Sequence, residues 1–196
     1  MQKQGSAAII LASTSPRRKE LLQAIGLPFT VIASNVDETV PPEMKPDQAV
    51  EYLALKKARE VAGKSASGLV IGSDTIVFLD GEILGKPRDE EHAFAMLQSL
   101  QGRQHTVYSG VAVVEADTGR TEVSHSAANV NIRPMTDEEI RAYIATGEPM
   151  DKAGSYAIQG IGSTIVEGIV GDYFAVVGLP LHLTARLLAR FGVSLL

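Results

Sequence analysis

Cysteine is missing from all 196 residues, which excludes disulfides, thiolate chemistry and cysteine-ligated zinc. A positive surplus is missing too: 18 Lys and Arg stand against 23 Asp and Glu, a net charge of −5. Broad, sequence-independent nucleic-acid binding needs a basic surface that displaces counterions, so that class is disfavoured, although a local basic cluster is still allowed. No apolar run approaches the ~18 residues that a membrane-spanning helix needs. Residues 1–8 lack a signal-peptide plan, because the apolar run 7–12 is short and leads into Ser, Pro and Arg rather than a cleavage site. The expectation is a cytoplasmic protein with no membrane and no nucleic-acid partner. There is no internal repeat, low-complexity tract or charge block. His92, His105, His125 and His182 have no metal-ligand spacing and read as ordinary surface or core residues. Familiar fingerprints are also absent: no GxxxxGK[ST] loop, no GxGxxG after the first strand, and no G-x-S-x-G elbow around Ser13 or Ser15.

What is present is 45% hydrophobic residues, enough to bury a core in one domain or in two lobes sharing a sheet. Residues 7–12 form a continuous apolar run of buried-strand length that feeds Ser13-Thr-Ser-Pro-Arg-Arg18. Ser15 reads as an N-cap and Pro16 as the first helical residue, with an apolar stripe at Leu21, Leu22 and Ile25 and a stop at Gly26. Arg17 and Arg18 then lie in the first turn, where cations oppose the helix dipole by roughly 0.3–1 kcal/mol each. The placement makes sense if an anion such as phosphate binds between them and the turn's N–H groups; the bland alternative is two solvated arginines.

A second strand over 29–33 delivers Asn35-Val-Asp-Glu38, whose adjacent carboxylates are by default a solvated turn. A helix over 46–63 carries Val50, Leu53, Ala54 and Val61 on one face. At about 100° per residue, Lys57 falls inside that stripe and Lys56 outside it, so Lys57 either snorkels or meets a negative ligand. Residues 69–71 read as a strand interrupted by Gly72-Ser-Asp-Thr75 and resumed over 76–79, with an Asp80-Gly81 hairpin turn into 82–84. A carboxylate within an apolar β stretch is costly unless satisfied, which makes Asp74 a candidate catalytic or metal-binding group; a structural Asp bonded to loop N–H groups is the alternative. Lys86, in Gly85-Lys-Pro87, stands at the start of a helix running over 89–100.

Residues 106–116 and 121–133 read as a long, moderately polar and partly exposed hairpin around Asp117-Thr-Gly119. Thr136-Asp-Glu-Glu139 is a capping box opening a helix with Ile140, Tyr143 and Ile144 on its apolar side and Gly147 as its stop. Residues 151–162 form a glycine-rich segment, either a loop that brings backbone close to a ligand or a plain mobile loop. A hairpin through Gly171-Asp172 and a last helix opened by Gly178-Leu-Pro180, burying Leu181, Leu187, Leu188 and Phe191, complete the chain. The alternation of helical crossovers and hairpins predicts an α/β chain of mixed α+β character around a mixed sheet.

The pieces Leu11-Ala-Ser-Thr-Ser-Pro-Arg-Arg18, Val36-Asp-Glu38, Lys57-Ala58, Gly72-Ser-Asp-Thr75, Gly81-Glu82, Gly85-Lys-Pro87, Asp151-Lys-Ala-Gly154, Ile158-Gln-Gly160 and Val177-Gly-Leu-Pro180 occur in an order that resembles the Maf family of nucleoside triphosphate pyrophosphatases. The resemblance spans nearly the whole chain, read as a single domain over 1–196. It implies a two-lobed Maf/ITPase-like fold, a twisted mixed sheet with flanking helices and the nucleotide in a cleft, commonly as a homodimer. It also implies hydrolysis of a triphosphate to the monophosphate and pyrophosphate, assisted by Mg²⁺ or Mn²⁺. The polar set it carries over is Ser13, Arg17, Arg18, Glu38, Lys57, Asp74 and Lys86, with Asp74 as proton acceptor; Glu38, alone or with Asp74, could hold the metal ion, which leaves Asp74 as base, metal ligand or both. Arg17, Thr75 and Gln159 stand at positions that vary between branches, and their combination resembles the branch acting on dTTP and UTP. A Gln side chain offers the donor and acceptor that suit the imide edge of uracil or thymine. Alternatives are the same chemistry on 7-methylguanosine or other non-standard purine triphosphates, and a nucleotide-binding regulator of septum formation.

Overall fold

The computed structural model describes residues 7–196; the reading of a missing leader plan falls largely on residues 1–6, outside the described residues. Elements run in the order β1 (Ile9–Leu11), α1 (Pro16–Ala24), β2 (Thr30–Val31), α2 (Pro46–Ala62), β3 (Leu69–Leu79), β4 (Glu82–Leu84), α3 (Glu90–Leu100), β5 (Gln104–Glu115) and β6 (Thr121–Ile132). There follow α4 (Asp137–Ala145), 3-10 turns at Glu148–Asp151, Ala153–Ser155 and Gly160–Thr164, β7 (Val166–Gly171), α5 (Tyr173–Val177) and α6 (Leu181–Ala189). Strand pairing follows the order β2-β1-β3-β5-β6-β7, with β4 on β3, so the predicted mixed α/β sheet is present. Among the described residues no helix is long and apolar enough to cross a membrane.

Two compact units divide the chain: one holds residues up to Asp74, Ser109–Ser126 and Gly178–Leu196, the other Thr75–Tyr108 and Ala127–Val177. In the first, β1 lies parallel to β2 and β3, pairing Ile10 with Thr30 and with Val70. One cluster of its core joins Ile10, Ala12 and Val70 to Ala54, Ala58 and Val61 of α2 and to Ala112 and Val114 of β5. Two glycines let α2 approach this closely. A Cβ on Gly72 would sit 2.2 Å from the Ala54 carbonyl oxygen, and one on Gly110 2.2 Å from that of Val50.

In the second unit, β3 turns through Asp80-Gly81 into β4, pairing Phe78 with Ile83, and β6 pairs antiparallel with β7. Its core packs Leu97 and Leu100 of α3 and Ile140, Tyr143 and Ile144 of α4 with Val107, Val130, Ile132 and Tyr156. The α4 capping box forms as read: Thr136 Oγ1 accepts the Glu139 N–H at 3.2 Å, and the Thr136 N–H donates to Glu139 Oε2 at 2.9 Å.

Several expectations need correction. β3 is continuous from Leu69 to Leu79, not interrupted at residues 72–75, because Asp74 finds its partner without leaving the strand. The hairpin is partly exposed as expected, but unevenly: β5 is mainly buried, with Gln104 exposed, while β6 is mostly half-buried. No hairpin passes through Gly171-Asp172; β7 ends there and Asp172 Oδ1 accepts the Phe174 N–H at 2.9 Å as α5 begins. The segment 151–162 contains short 3-10 turns rather than plain loop. In α6, Leu183 and Thr184 are buried with Leu187 and Leu188, whereas Leu181 and Phe191 are half-buried.

Candidate active site

The entry to α1 is organised by Ser13 rather than by Ser15. Ser15 occupies the cap position but its side chain makes no cap hydrogen bond. Instead the Ser15 N–H donates to Ser13 Oγ at 3.2 Å, and the Arg18 guanidinium donates to the same oxygen at 3.3 Å. Arg18 Nε also donates to the Gly178 carbonyl at 2.8 Å, so the guanidinium is aimed by two fixed oxygens. Burial lowers the Arg18 pKa from its ordinary value; the Asp74 and Glu38 carboxylates oppose that shift and Arg17 adds to it. The first turn thus holds two cations and no acidic residue, the arrangement that favours an anionic ligand.

Lys57, Asp74 and Glu38 meet. Lys57 Nζ lies 2.6 Å from Asp74 Oδ1 and 2.8 Å from Glu38 Oε1. The Lys57 and Asp74 side chains are 9% and 8% exposed, whereas Glu38 is 58% exposed and forms the solvent side of the cluster. Lys57 is therefore not snorkelling; its place in the apolar stripe of α2 points it at the strand carboxylate. The neighbouring carboxylates part company: Asp37 Oδ1 turns back to the Thr39 N–H at 3.0 Å, leaving Glu38 to Lys57. Lys56 reaches the Asp37 carbonyl at 2.6 Å, so consecutive lysines of α2 hold consecutive residues of the loop.

Thr75, Lys86 and Gln159 belong to the second unit. Thr75 follows Asp74 on β3 and is half-buried. Lys86 lies exposed in the loop before α3 rather than at its start, the helix being capped by Asp89, whose Oδ1 accepts the His92 N–H at 2.7 Å. Gln159 is exposed at the residue preceding the Gly160–Thr164 turn. The loop carrying Lys86 and the segment leading to Gln159 are joined by the Gly154 N–H donating to the Gly85 carbonyl at 3.0 Å.

Sequence reasoning missed Ser73, which is fully buried and donates to the Gly178 carbonyl at 3.0 Å, the same oxygen that anchors Arg18. Its signal was adjacency to Asp74 in a β stretch, which alone says nothing about a partner 105 residues away. It also missed Tyr143 and Glu148, which bond around Gln159 and carry no motif. The histidines do read correctly: His105 is core, its Nε2 2.6 Å from the Tyr156 hydroxyl, and His125 Nδ1 sits 2.7 Å from Glu51 Oε1.

Among the described residues no group of three or more His, Asp and Glu could hold a metal by themselves. Glu38 and Asp74 converge on the Lys57 ammonium, which fills the point between them. Their fit to a metal therefore rests on donor type alone: carboxylate oxygens are what a hard cation takes one or two of, completing its shell with water and phosphate oxygens.

A family model described as "Maf-like protein" matches residues 8–191. A "dTTP/UTP pyrophosphatase" of Moorella thermoacetica is 53% identical, over 95% of this chain and 96% of its own length. Proteins of the same name from Dictyoglomus turgidum, 51% identical, and Pelotomaculum thermopropionicum, 49% identical, are each covered over 98% of their length and cover 96% of this chain.

Proposed function

This chain belongs to the Maf-like protein family, and from that premise we propose that it hydrolyses dTTP and UTP to the nucleoside monophosphate and pyrophosphate. The observation that carries the reading is the buried Lys57–Asp74 pair with Glu38 at its solvent side. A carboxylate held within an apolar strand by an ammonium is oriented for proton transfer. Asp74 accepts a proton from the water that attacks the α-phosphorus. The bond from that phosphorus to the bridging oxygen breaks, and pyrophosphate leaves with the bonding pair.

Arg18, aimed by Ser13 and Gly178, holds phosphate oxygens together with Lys57 and the α1 N-terminus, and Lys86 is the further phosphate-binding cation that the family resemblance implies. These cations offset the charge that grows on the leaving pyrophosphate. A divalent cation, Mg²⁺ or Mn²⁺, would be held by Glu38 and Asp74 and would supply further neutralisation of phosphate charge. Gln159 pairs with the base's imide edge, with Arg17 and Thr75 completing the pyrimidine set. The reading places the enzyme in the cytoplasm as a homodimer, a mass that light scattering checks.

The test is a chromatographic assay of the purified protein with Mg²⁺ against dTTP, UTP, CTP, GTP, ITP and 7-methylguanosine triphosphate, identifying both products. Monophosphate plus pyrophosphate, fastest from dTTP and UTP, is expected. Diphosphate plus orthophosphate would refute attack at the α-phosphorus. Preference for the methylated purine would refute the base assignment, and no turnover of any nucleotide would favour a binding regulator.

A further inference from the structure

We propose that Glu148 is the positioning residue that fixes Gln159 for base reading, a role that rests on the assignment of Gln159 above. Glu148 sits three residues beyond the end of α4, where the helix dipole disfavours a carboxylate. Its two oxygens are fully engaged elsewhere. Oε2 accepts the Ile161 N–H at 2.9 Å, and Oε1 accepts the Gly162 N–H at 2.8 Å and the Tyr143 hydroxyl at 2.7 Å. Tyr143 in turn accepts the Ala157 N–H at 3.1 Å. The chain is therefore gripped two residues before Gln159 and two and three residues after it, all through one carboxylate and its phenol partner.

The glycine after Gln159 leaves room for the same carboxylate. Gly160 has φ +67°, and a Cβ there would lie 2.4 Å from Glu148 Oε2, so the carboxylate occupies the space a side chain would need. The Lys152 ammonium holds the Glu148 carbonyl, tying the clamp to the segment that follows it. Burial raises the Glu148 pKa, but hydrogen bonds from Tyr143, Gly162 and Ile161 and the charge of Lys152 outweigh it, leaving the carboxyl below its ordinary range and ionised at neutral pH. None of these donors belongs to the cluster at Asp74. A clamp of this kind acts on where the Gln159 amide points and leaves proton transfer alone.

Glu148→Gln keeps the shape but turns an NH₂ toward one of the N–H donors. The expected result is a KM for UTP raised about tenfold, equivalent to ~1.4 kcal/mol, with a reduced preference for UTP over CTP. kcat is expected to stay within about threefold of wild type, the signature of lost uniform binding. Inhibition by inorganic tripolyphosphate, which has no base, is expected to be unchanged. Gln159→Ala should raise the KM for UTP similarly, and the double variant should be no worse than either single one. Loss of kcat together with weaker tripolyphosphate inhibition, or additive KM effects, would overturn the role. If Gln159→Ala is impaired and Glu148→Gln is not, this role alone fails; if Gln159→Ala binds UTP normally, the base-reading assignment fails and takes the role with it. Should Glu148→Gln not fold by circular dichroism, Tyr143→Phe carries the same comparison with a KM rise of roughly tenfold, since it removes one bond to the carboxylate and the grip on the Ala157 N–H together.

Discussion

Two core clusters, one in each unit, are packed from different materials. Where α2 meets the strands of the first unit the cluster is built from small residues, Ala12, Ala54, Ala58, Ala62 and Ala112 with a few β-branched ones, and two glycines of the strands face the backbone of α2; the large side chains of that unit, among them Leu11, Leu22, Leu69 and Leu187, are buried outside this cluster. The core of the second is filled by Leu97, Leu100, Ile132, Ile140, Tyr143 and Tyr156. Small residues let a helix backbone lie almost against a strand, and this shortens the span from a helix lysine to a strand carboxylate to one direct contact. The Lys57–Asp74 pair therefore sits where a helix and a strand lie backbone to backbone. In the second unit, large side chains fill the interior, and precision in the segment bearing Gln159 comes from a carboxylate and a phenol bonded to backbone N–H groups. A rigid pair and a clamped loop are two ways of fixing a polar group, and they should respond differently to substitution.

The largest effect is expected at the tight pair. Asp74→Asn should lower kcat by about 10²–10⁴-fold, the usual worth of a positioned proton acceptor. Lys57 keeps Glu38 as its partner, so the variant should fold, and with Glu38 still there to hold the cation, UTP binding by calorimetry should change far less than kcat. A variant that turns over normally, or that loses binding and turnover together, would remove Asp74 from the role of base. Next comes the packing itself. Gly72→Ala puts a methyl 2.2 Å from the Ala54 carbonyl oxygen and 2.8 Å from the Ala58 nitrogen, backbone atoms that cannot turn aside. A cost of about 3 kcal/mol in urea unfolding is expected, at the upper end for overpacking, along with reduced kcat as α2 carries Lys57 away. Gly168→Ala in β7 meets nothing within 4 Å and is the control that should leave both unchanged.

How much of this was legible follows from how local each feature is. The α1 entry could be read because Pro16, the two arginines and Gly26 are sequence neighbours, and Lys57 could be read because it breaks an apolar stripe. The break expected in β3 was wrong for a related reason: a polar run looks like an interruption when its partner, Lys57, is 17 residues away on another element. Ser15 was credited with a cap because its residue type favours one, but the hydroxyl that does the organising is Ser13. Glu148 was invisible because a carboxylate after a helix stop resembles a solvated one. Its donors are mostly backbone N–H groups, which have no side-chain signature.

The second core gives the smallest of these effects and the one that best separates it from the first. His105 is 3% exposed, its Nε2 bonded to the Tyr156 hydroxyl and its Nδ1 without a partner. Burial pushes its pKa down to about 4. A base whose pKa is depressed on folding is held neutral by the fold, so its contribution to stability is complete above the unfolded value of about 6.5 and is lost as pH falls toward 4. Linkage gives a loss of roughly 2 kcal/mol between pH 7 and pH 5 from this group alone. Urea unfolding at the two pH values should show that drop in the wild type and a flatter dependence in His105→Phe, which keeps the ring packed edge-on to Tyr156 but cannot take a proton. Parallel pH dependences would mean that the imidazole can charge in place, and that the second core is more open to water than its packing implies.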